Sequence, residues 1–388
     1  MKSLPLKIAV VVAAGLGLGW VGLNGMIGRS FHSATTNGAT DSSRNTLAIA
    51  ATPPAATGAP VSSVLPTDFT RSPAANAWIA QGSGRLLSQP INCQLGKNCF
   101  VLLYPDHDAS TGETDSLCRH LTYDGHNGTD FAIPFWTPTT NVAVLAAAPG
   151  RVSALRDGVA DRRLSSVEER STVSGIECGN GVTIEHADGW QTEYCHMKQG
   201  SISVKMGDTV RAGTPLGMVG LSGMTTFPHV HVTVRKNGRE IDPFIGGDAI
   251  RTCRANRRPV WNQAKVDYVA TGLIRSGFAP KQPVEEELWR GEFRSNQISA
   301  KAEVLTFWVH AFGVQKNDVE HFKLLAPDGS VVTDYQRPID ADHKQWITYV
   351  GKGTRQSPLM PGTWTASYQL KRGNQVLIQL DRQQAVVR

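Results

Sequence analysis

Short runs of alternating apolar and polar residues, each closed by a turn signal, recur along most of this chain, while helical periodicity is weak. A period of two sets one face of an extended chain against a core, so the pattern restricts the fold to β-sheets joined by tight turns. Val182-Thr-Ile-Glu-His186 and Trp190-Gln-Thr-Glu-Tyr194 alternate around Ala187-Asp188-Gly189, which predicts a hairpin. Ser201-Ile-Ser-Val204 and Thr209-Val210 flank a second turn at Met206-Gly207-Asp208. Pro228 to Val234 alternates and ends at Lys236-Asn237-Gly238, a turn dipeptide. Arg156 to Ser174 is a charged interruption, read as a loop or short helix, and Val260 to Phe278 reads as partly helical. From Val284 a second β pattern begins. It includes Val304 to Ala311, Glu320 to Leu325, Gln345 to Val350, Trp364 to Leu370 and Gln375 to Leu380. Roughly seven short strands in about 100 residues predict an immunoglobulin-like β-sandwich.

The 388 residues are enough for two domains with cores of their own, and 40% hydrophobic with 19% charged residues excludes a wholly disordered chain. There is no G-x-x-x-x-G-K-[ST] and no G-x-G-x-x-G that follows a strand and opens a helix, so phosphate-loop and dinucleotide chemistry have little support. The net charge of +6 is spread thinly, without a basic run or an aromatic-interleaved basic stripe, so no nucleic-acid partner is expected. Lys2 and Lys7 precede an apolar run from Ile8 to Ile27, about the length that crosses a bilayer as a helix. The positive flank predicts that all after Arg29 is exported, with residues 1–30 an uncleaved signal-anchor or, alternatively, a cleaved signal peptide. Residues 31–75, dense in Ala, Thr, Ser, Pro and Gly, read as a disordered linker.

All six cysteines lie between Cys93 and Cys253. An even count after an export signal points to disulfides in an oxidising compartment. Cys178 and Cys195 fall near the open end of the predicted hairpin and are expected to be bridged.

Eleven histidines are present. In His229-Val230-His231 the two imidazoles share one face of a strand. In His126-Asn127-Gly128-Thr129-Asp130 the glycine disfavours a helix, and in an extended chain an imidazole and a carboxylate four apart again share a face. Taken singly, a capped turn or two satisfied core histidines would explain either motif. Together they supply up to three ligands of two-imidazole, one-carboxylate type, the number a catalytic zinc keeps while leaving a place for water. One histidine of the pair is left beside the metal, and His196, after Tyr194-Cys195, is a second spare imidazole able to move protons. Tyr104-Pro-Asp-His-Asp108 also gathers possible ligands but reads as a surface turn, and the segment from Asn76 to His120 is a candidate flap over the site.

These pieces occur in order with Ala148-Pro-Gly-Arg-Val152, Gly179-Asn-Gly-Val-Thr-Ile-Glu-His186, Lys205-Met-Gly-Asp-Thr-Val-Arg-Ala-Gly213, Leu216 to Gly223 and Asp242-Pro-Phe244. From roughly Tyr123 to Phe244 the chain resembles the LytM/lysostaphin-type zinc metallopeptidases, peptidase family M23, which hydrolyse peptide cross-links in peptidoglycan. The resemblance implies a compact, mostly antiparallel β core with an open groove. It implies zinc held by His126, Asp130 and His231, flanked by catalytic histidines His196 and His229. It also implies that peptidoglycan stem peptides are the substrate. The expected domains are then a peptidase at 76–255, a connector at 256–283 and the sandwich at 284–388. With an inner-membrane anchor, such an enzyme would work in a periplasm.

Two other classes stand beside this one. A non-catalytic wall-binding or hydrolase-activating module would not need all five residues intact. A biotinyl- or lipoyl-type carrier would need a lysine at an exposed hairpin tip in a cytosolic complex. The sandwich is left open as a binding module, a docking surface or a structural appendage, since such folds do not specify a function.

Overall fold

A computed structural model describes residues 87–246, 253, 258–262, 266–355 and 357–388. The expected anchor and linker lie outside the described residues. The first ten strands are β1 (Phe100–Leu103), β2 (Thr129–Ala132), β3 (Ala143–Leu145), β4 (Gly150–Arg156), β5 (Asn180–Glu185), β6 (Trp190–Met197), β7 (Thr209–Val210), β8 (Pro215–Met218), β9 (His229–Lys236) and β10 (Arg239–Glu240). Eight of them form one sheet in the order β1-β2-β9-β6-β5-β4-β7, with β10 paired to β9; β3 and β8 form a separate pair. Every pairing among these strands is antiparallel.

The predicted hairpin is β5–β6, registered Val182 to Tyr194 and Glu185 to Gln191. Its turn places Asp188 and Gly189 at φ 57° and 73°, the left-handed region that such short polar or side-chain-free residues tolerate. The second predicted turn forms at Met206 and Gly207, but its two flanks do not pair with each other. Ser201 to Val204 carries no strand, and Thr209–Val210 pairs instead with Gly150 and Arg151. Two residues bury too little surface to hold a local hairpin, so the longer β4 captures them. The charged interruption holds one short helix, α1 (Val167–Ser171), with Ser166 and Glu169 forming a capping box. The candidate flap is in part a structural strand: β1 pairs with β2 and all four of its residues are buried.

The second region has β11 (Gly272–Ala279), α2 (Glu285–Trp289), β12 (Gln297–Ser299), β13 (Val304–Val314), β14 (Val319–Leu325), β15 (Val331–Pro338), β16 (His343–Gly353), β17 (Gly362–Arg372) and β18 (Gln375–Val387). A three-stranded sheet β11-β13-β16 faces a five-stranded sheet β12-β18-β17-β14-β15, with β12 parallel to β18. This is a β-sandwich filled by Phe307, Phe322, Trp364, Tyr368 and Leu370. It starts at Gly272, inside the stretch expected to be a connector and partly helical. There β13 pairs with β11 over its length, and this tertiary pairing overrides weak local periodicity.

Cys178 is bridged to Cys195 as expected, and Cys93–Cys99 and Cys118–Cys253 complete the set. The apolar core of the first region continues into the second. Ile274, Trp289 and Phe312 belong to it, and the Phe312 ring stacks on Phe100 with centroids 5.4 Å apart.

At this junction His310 of β13 is fully buried, with Nε2 3.1 Å from Gln345 Oε1 and its ring edge-on to Trp289. Burial pushes its pKa from 6.5 down to about 3, against the upward pull of Gln345. Below pH 6.5 the unfolded chain takes a proton that the folded chain refuses until pH falls to about 3. Stability is therefore lost as pH falls through that window. Between pH 6.5 and 5 the loss attributable to this ring is about 2 kcal/mol. Urea unfolding of wild type and His310→Gln at both pH values checks this; equal pH slopes for the two would refute it.

Candidate metal centre

The sheet order makes β2, β9 and β6 consecutive neighbours at the centre. Antiparallel register sets Asp130 of β2 opposite His231 of β9, and His231 opposite Cys195 of β6. One row across three strands thus collects a carboxylate, an imidazole and the strand position just before His196. Side chains two apart on β9 bring His229 to the same face. His126 lies before β2, in a turn rather than on the strand. Asp106 holds that turn: its backbone N–H donates to the His126 carbonyl at 2.7 Å, and its carboxylate accepts from Gly125 N–H at 3.1 Å. The Tyr123 ring packs on His126, with centroids 4.4 Å apart. All five predicted residues, His126, Asp130, His196, His229 and His231, are buried and converge at one place.

Three of them bring one atom each to a common point. His126 Nε2 lies 3.1 Å from Asp130 Oδ1 and 3.2 Å from His231 Nδ1, and His231 Nδ1 lies 2.9 Å from Asp130 Oδ1. The partners on the far sides of the rings fix which nitrogen is bare. His126 Nδ1 sits 2.7 Å from the Tyr104 carbonyl, which only accepts, so Nδ1 carries the hydrogen. His231 Nε2 is 3.0 Å from Thr233 Oγ1 and 3.2 Å from Asn127 Oδ1. The Asn127 amide nitrogen donates to Glu240 at 2.6 Å, which orients its oxygen toward His231 and leaves Nδ1 of that ring bare. Three electron pairs so close repel one another unless a cation lies among them. A tetrahedral ion with bonds of about 2.0–2.1 Å spaces its donors by about 3.3 Å. The donor set therefore fits a metal ion such as zinc.

Electrostatics favours the binding forms of Asp130 and His231, the ionised carboxylate and the neutral imidazole. Burial alone would push the Asp130 carboxyl up, but the His126 and His229 rings hold it well below the ordinary carboxylate range. Burial pushes His231 down against the pull of Asp130. At His126 burial also acts downward, and Asp130 outweighs it to raise the ring.

The two remaining imidazoles flank this point. His196 Nδ1 donates to the Ser222 carbonyl at 2.8 Å, and His229 Nδ1 to the Phe227 carbonyl at 2.9 Å. Both therefore present a bare Nε2, and that of His229 lies 3.4 Å from Asp130 Oδ1. Burial, followed by the neighbouring His229 and His231 rings, pushes His196 well below the ordinary imidazole range, so it stands neutral as a proton acceptor. His196 adopts φ 60°, and its backbone N–H donates to the Cys178 carbonyl at 2.8 Å. The Cys178–Cys195 bridge thus pins the backbone bend that aims this ring.

Several residues of the site carried no sequence signal of their own. The Tyr104 segment, expected as a surface turn, is buried: Tyr104 supports His126, and His107 Nε2 lies 2.8 Å from Asp242. Ser222 orients His196, and its hydroxyl donates to Met197 O at 2.6 Å while accepting from Asn180 N–H at 2.9 Å. It approaches that closely because Gly179 has no side chain; a Cβ there would lie 2.4 Å from the Ser222 carbonyl carbon. Gly179, Gly220 and Gly223 were the available clue to Ser222. A second group of possible ligands, Cys178, Glu193 and Cys195, is closed by the disulfide.

Residues 124–243, which include all five site residues, match peptidase family M23. The DD-carboxypeptidase/endopeptidase Mpg of Neisseria meningitidis is 34% identical over 122 residues, 31% of this chain and 23% of that protein. The peptidoglycan DD-endopeptidase ShyA of Vibrio cholerae is 32% identical over 117 residues, 30% of this chain and 22% of that protein. Among solved structures, the catalytic domain of the prophage-encoded M23 protein EnpA from Enterococcus faecalis is 29% identical, covering 39% of this chain and 92% of that one with a TM-score of 0.27. The chain spans about a quarter of the length of the curated relatives it matches.

Gly128 links the turn to the ligands: a Cβ there would lie 2.4 Å from His231 Nε2 and 2.8 Å from the Val232 carbonyl. Gly128→Ala is expected to displace the His231 ring and weaken metal binding by about 10–100-fold. Competition against a chromogenic chelator measures it, with circular dichroism as the check on folding; unchanged affinity would contradict this role.

Proposed function

We propose that this chain is a zinc-dependent endopeptidase that hydrolyses peptide cross-links of peptidoglycan, a reading supported by the match of residues 124–243 to peptidase family M23. The observation that carries the reading is the convergence of three bare donor atoms, with two further bare imidazole nitrogens beside them. In this reading His126 Nε2, Asp130 Oδ1 and His231 Nδ1 hold the zinc. The ion supplies Lewis acidity at a scissile carbonyl and makes water acidic enough to lose a proton near neutral pH.

The chain's own residues supply the rest. His196 and His229, each anchored through Nδ1–H to a backbone carbonyl, offer Nε2 to accept the proton of the attacking water. Once protonated, the same nitrogen donates to the developing oxyanion and then to the departing amine. Tyr104, Asn127 and Thr233 keep the ligand rings in the required tautomers. Ser222 and the Cys178–Cys195 bridge keep His196 from turning away.

Membrane attachment and a periplasmic location belong to the same proposal. They are supported by the basic flank and apolar run of residues 1–30 and by three disulfides, which suit an oxidising compartment. Alkaline carbonate washing of membranes that releases the full-length chain would refute the anchor.

The catalytic reading is tested on purified sacculi. Zinc-loaded protein is expected to convert cross-linked muropeptide dimers to monomers, and chelator or His231→Ala should abolish this. His196→Ala should retain zinc and lose about 10²–10⁴-fold in kcat. Zinc-loaded wild type that leaves every muropeptide peak unchanged would sink the proposal in favour of a binding module.

A further inference from the structure

Of the two imidazoles beside the donor set, His229 is backed, through Phe227, by a residue outside the segment that matches the family, Trp289. Its ring stacks on Phe227, with centroids 4.3 Å apart and planes 25° apart, while its Nδ1–H bonds the Phe227 carbonyl. Phe227 in turn packs against Trp289, the last residue of α2, at 5.8 Å between centroids. Both rings are buried.

Trp289 is itself fixed on three sides. Its indole N–H donates to Glu285 Oε1 at 3.1 Å, and its carbonyl accepts from Trp136 N–H at 2.9 Å. His310 of the sandwich meets it edge-on at 4.9 Å. Glu285 also pairs with Arg163 at 2.8 Å, and Arg163 Nε donates to the Thr226 carbonyl. The Thr226-Phe227 segment is therefore held by α2 through an apolar contact at one residue and a charged relay at the other. The zinc-donor atoms take their supports from elsewhere: Tyr104, Asn127 and Thr233.

We propose that Trp289 is a positioning residue: acting through Phe227, it fixes the orientation of the His229 imidazole, so that the C-terminal region is part of the working site. Removing the indole opens a cavity beneath Phe227, into which that ring and the stacked imidazole can relax. A displacement of about 1 Å at a reacting group costs on the order of 100-fold in rate. The kinetic consequence rests on the endopeptidase reading; the geometric claim does not.

The test uses the zinc-loaded full-length chain in detergent, with Trp289→Ala, Trp289→Phe and the sandwich-core control Leu380→Ala. Long-range proton–nitrogen correlation spectra read the His229 ring directly, its signals assigned by their loss in His229→Gln. Trp289→Ala is expected to shift or broaden those signals and to lower kcat about 10–100-fold, with KM and zinc content unchanged. Trp289→Phe should restore part of both effects, and Leu380→Ala should produce neither. Unaltered His229 signals in Trp289→Ala would overturn the proposal, as would a kcat loss that only tracks zinc loss. If wild type cuts no cross-link, the endopeptidase reading fails and the imidazole signals alone decide the positioning role. Should Trp289→Ala not fold, Trp289→Phe carries the comparison: a shifted His229 signal supports the role, and an unshifted one overturns it.

Discussion

The register between β2 and β9 is the constraint on which the site depends. Setting Asp130 opposite His231 places their donor atoms 2.9 Å apart in the middle of a sheet whose neighbours are fully paired. A slip of one residue would turn His231 to the opposite face and bring Val230 or Val232 opposite Asp130. The register is held by the apolar residues that alternate with the ligands: Phe131, Val230, Val232 and Val234 are all buried in the core. Those side chains cannot reach the core in any other register, so the hydrophobic effect that folds the sheet also assembles the donor set.

Much of this was legible before the fold was known. The His-x-His spacing belongs to a strand, and β9 is that strand. The hairpin signal at Ala187-Asp188-Gly189 correctly implied that Cys178 and Cys195 would meet. The pairing of His126 with Asp130 was anticipated on different grounds from those that hold. The spacing was read as an extended chain, whereas His126 sits in a turn that Asp106 holds. Convergence survives because Gly128 lets the turn fold against the His231 ring.

What escaped reading has a common physical cause. Tyr104 and Ser222 act through backbone carbonyls, and a carbonyl is the same for every residue type. Sequence records the side chain, so a residue recruited for its main chain leaves at most indirect traces, such as the glycine at 179 that permits the close approach of Ser222. The strand at Gly272–Ala279 is similar: its order comes from β13, more than twenty residues later, and not from its own periodicity. The sandwich shares its buried surface with the first region through Phe312, Ile274 and Trp289.

The Cys118–Cys253 bridge has a consequence of another kind. It closes a ring of chain with a sequence separation of 135, and every one of the five site residues lies inside that ring. Closing so long a loop removes on the order of 4–5 kcal/mol of unfolded-state entropy in the chain-entropy treatment. It also changes what a cut backbone means. A single nick in an exposed loop, such as at Gly158, opens the ring without releasing either fragment, so both halves of the ligand set remain on one covalent molecule. Damage that would divide an unbridged chain in two leaves this one a single molecule.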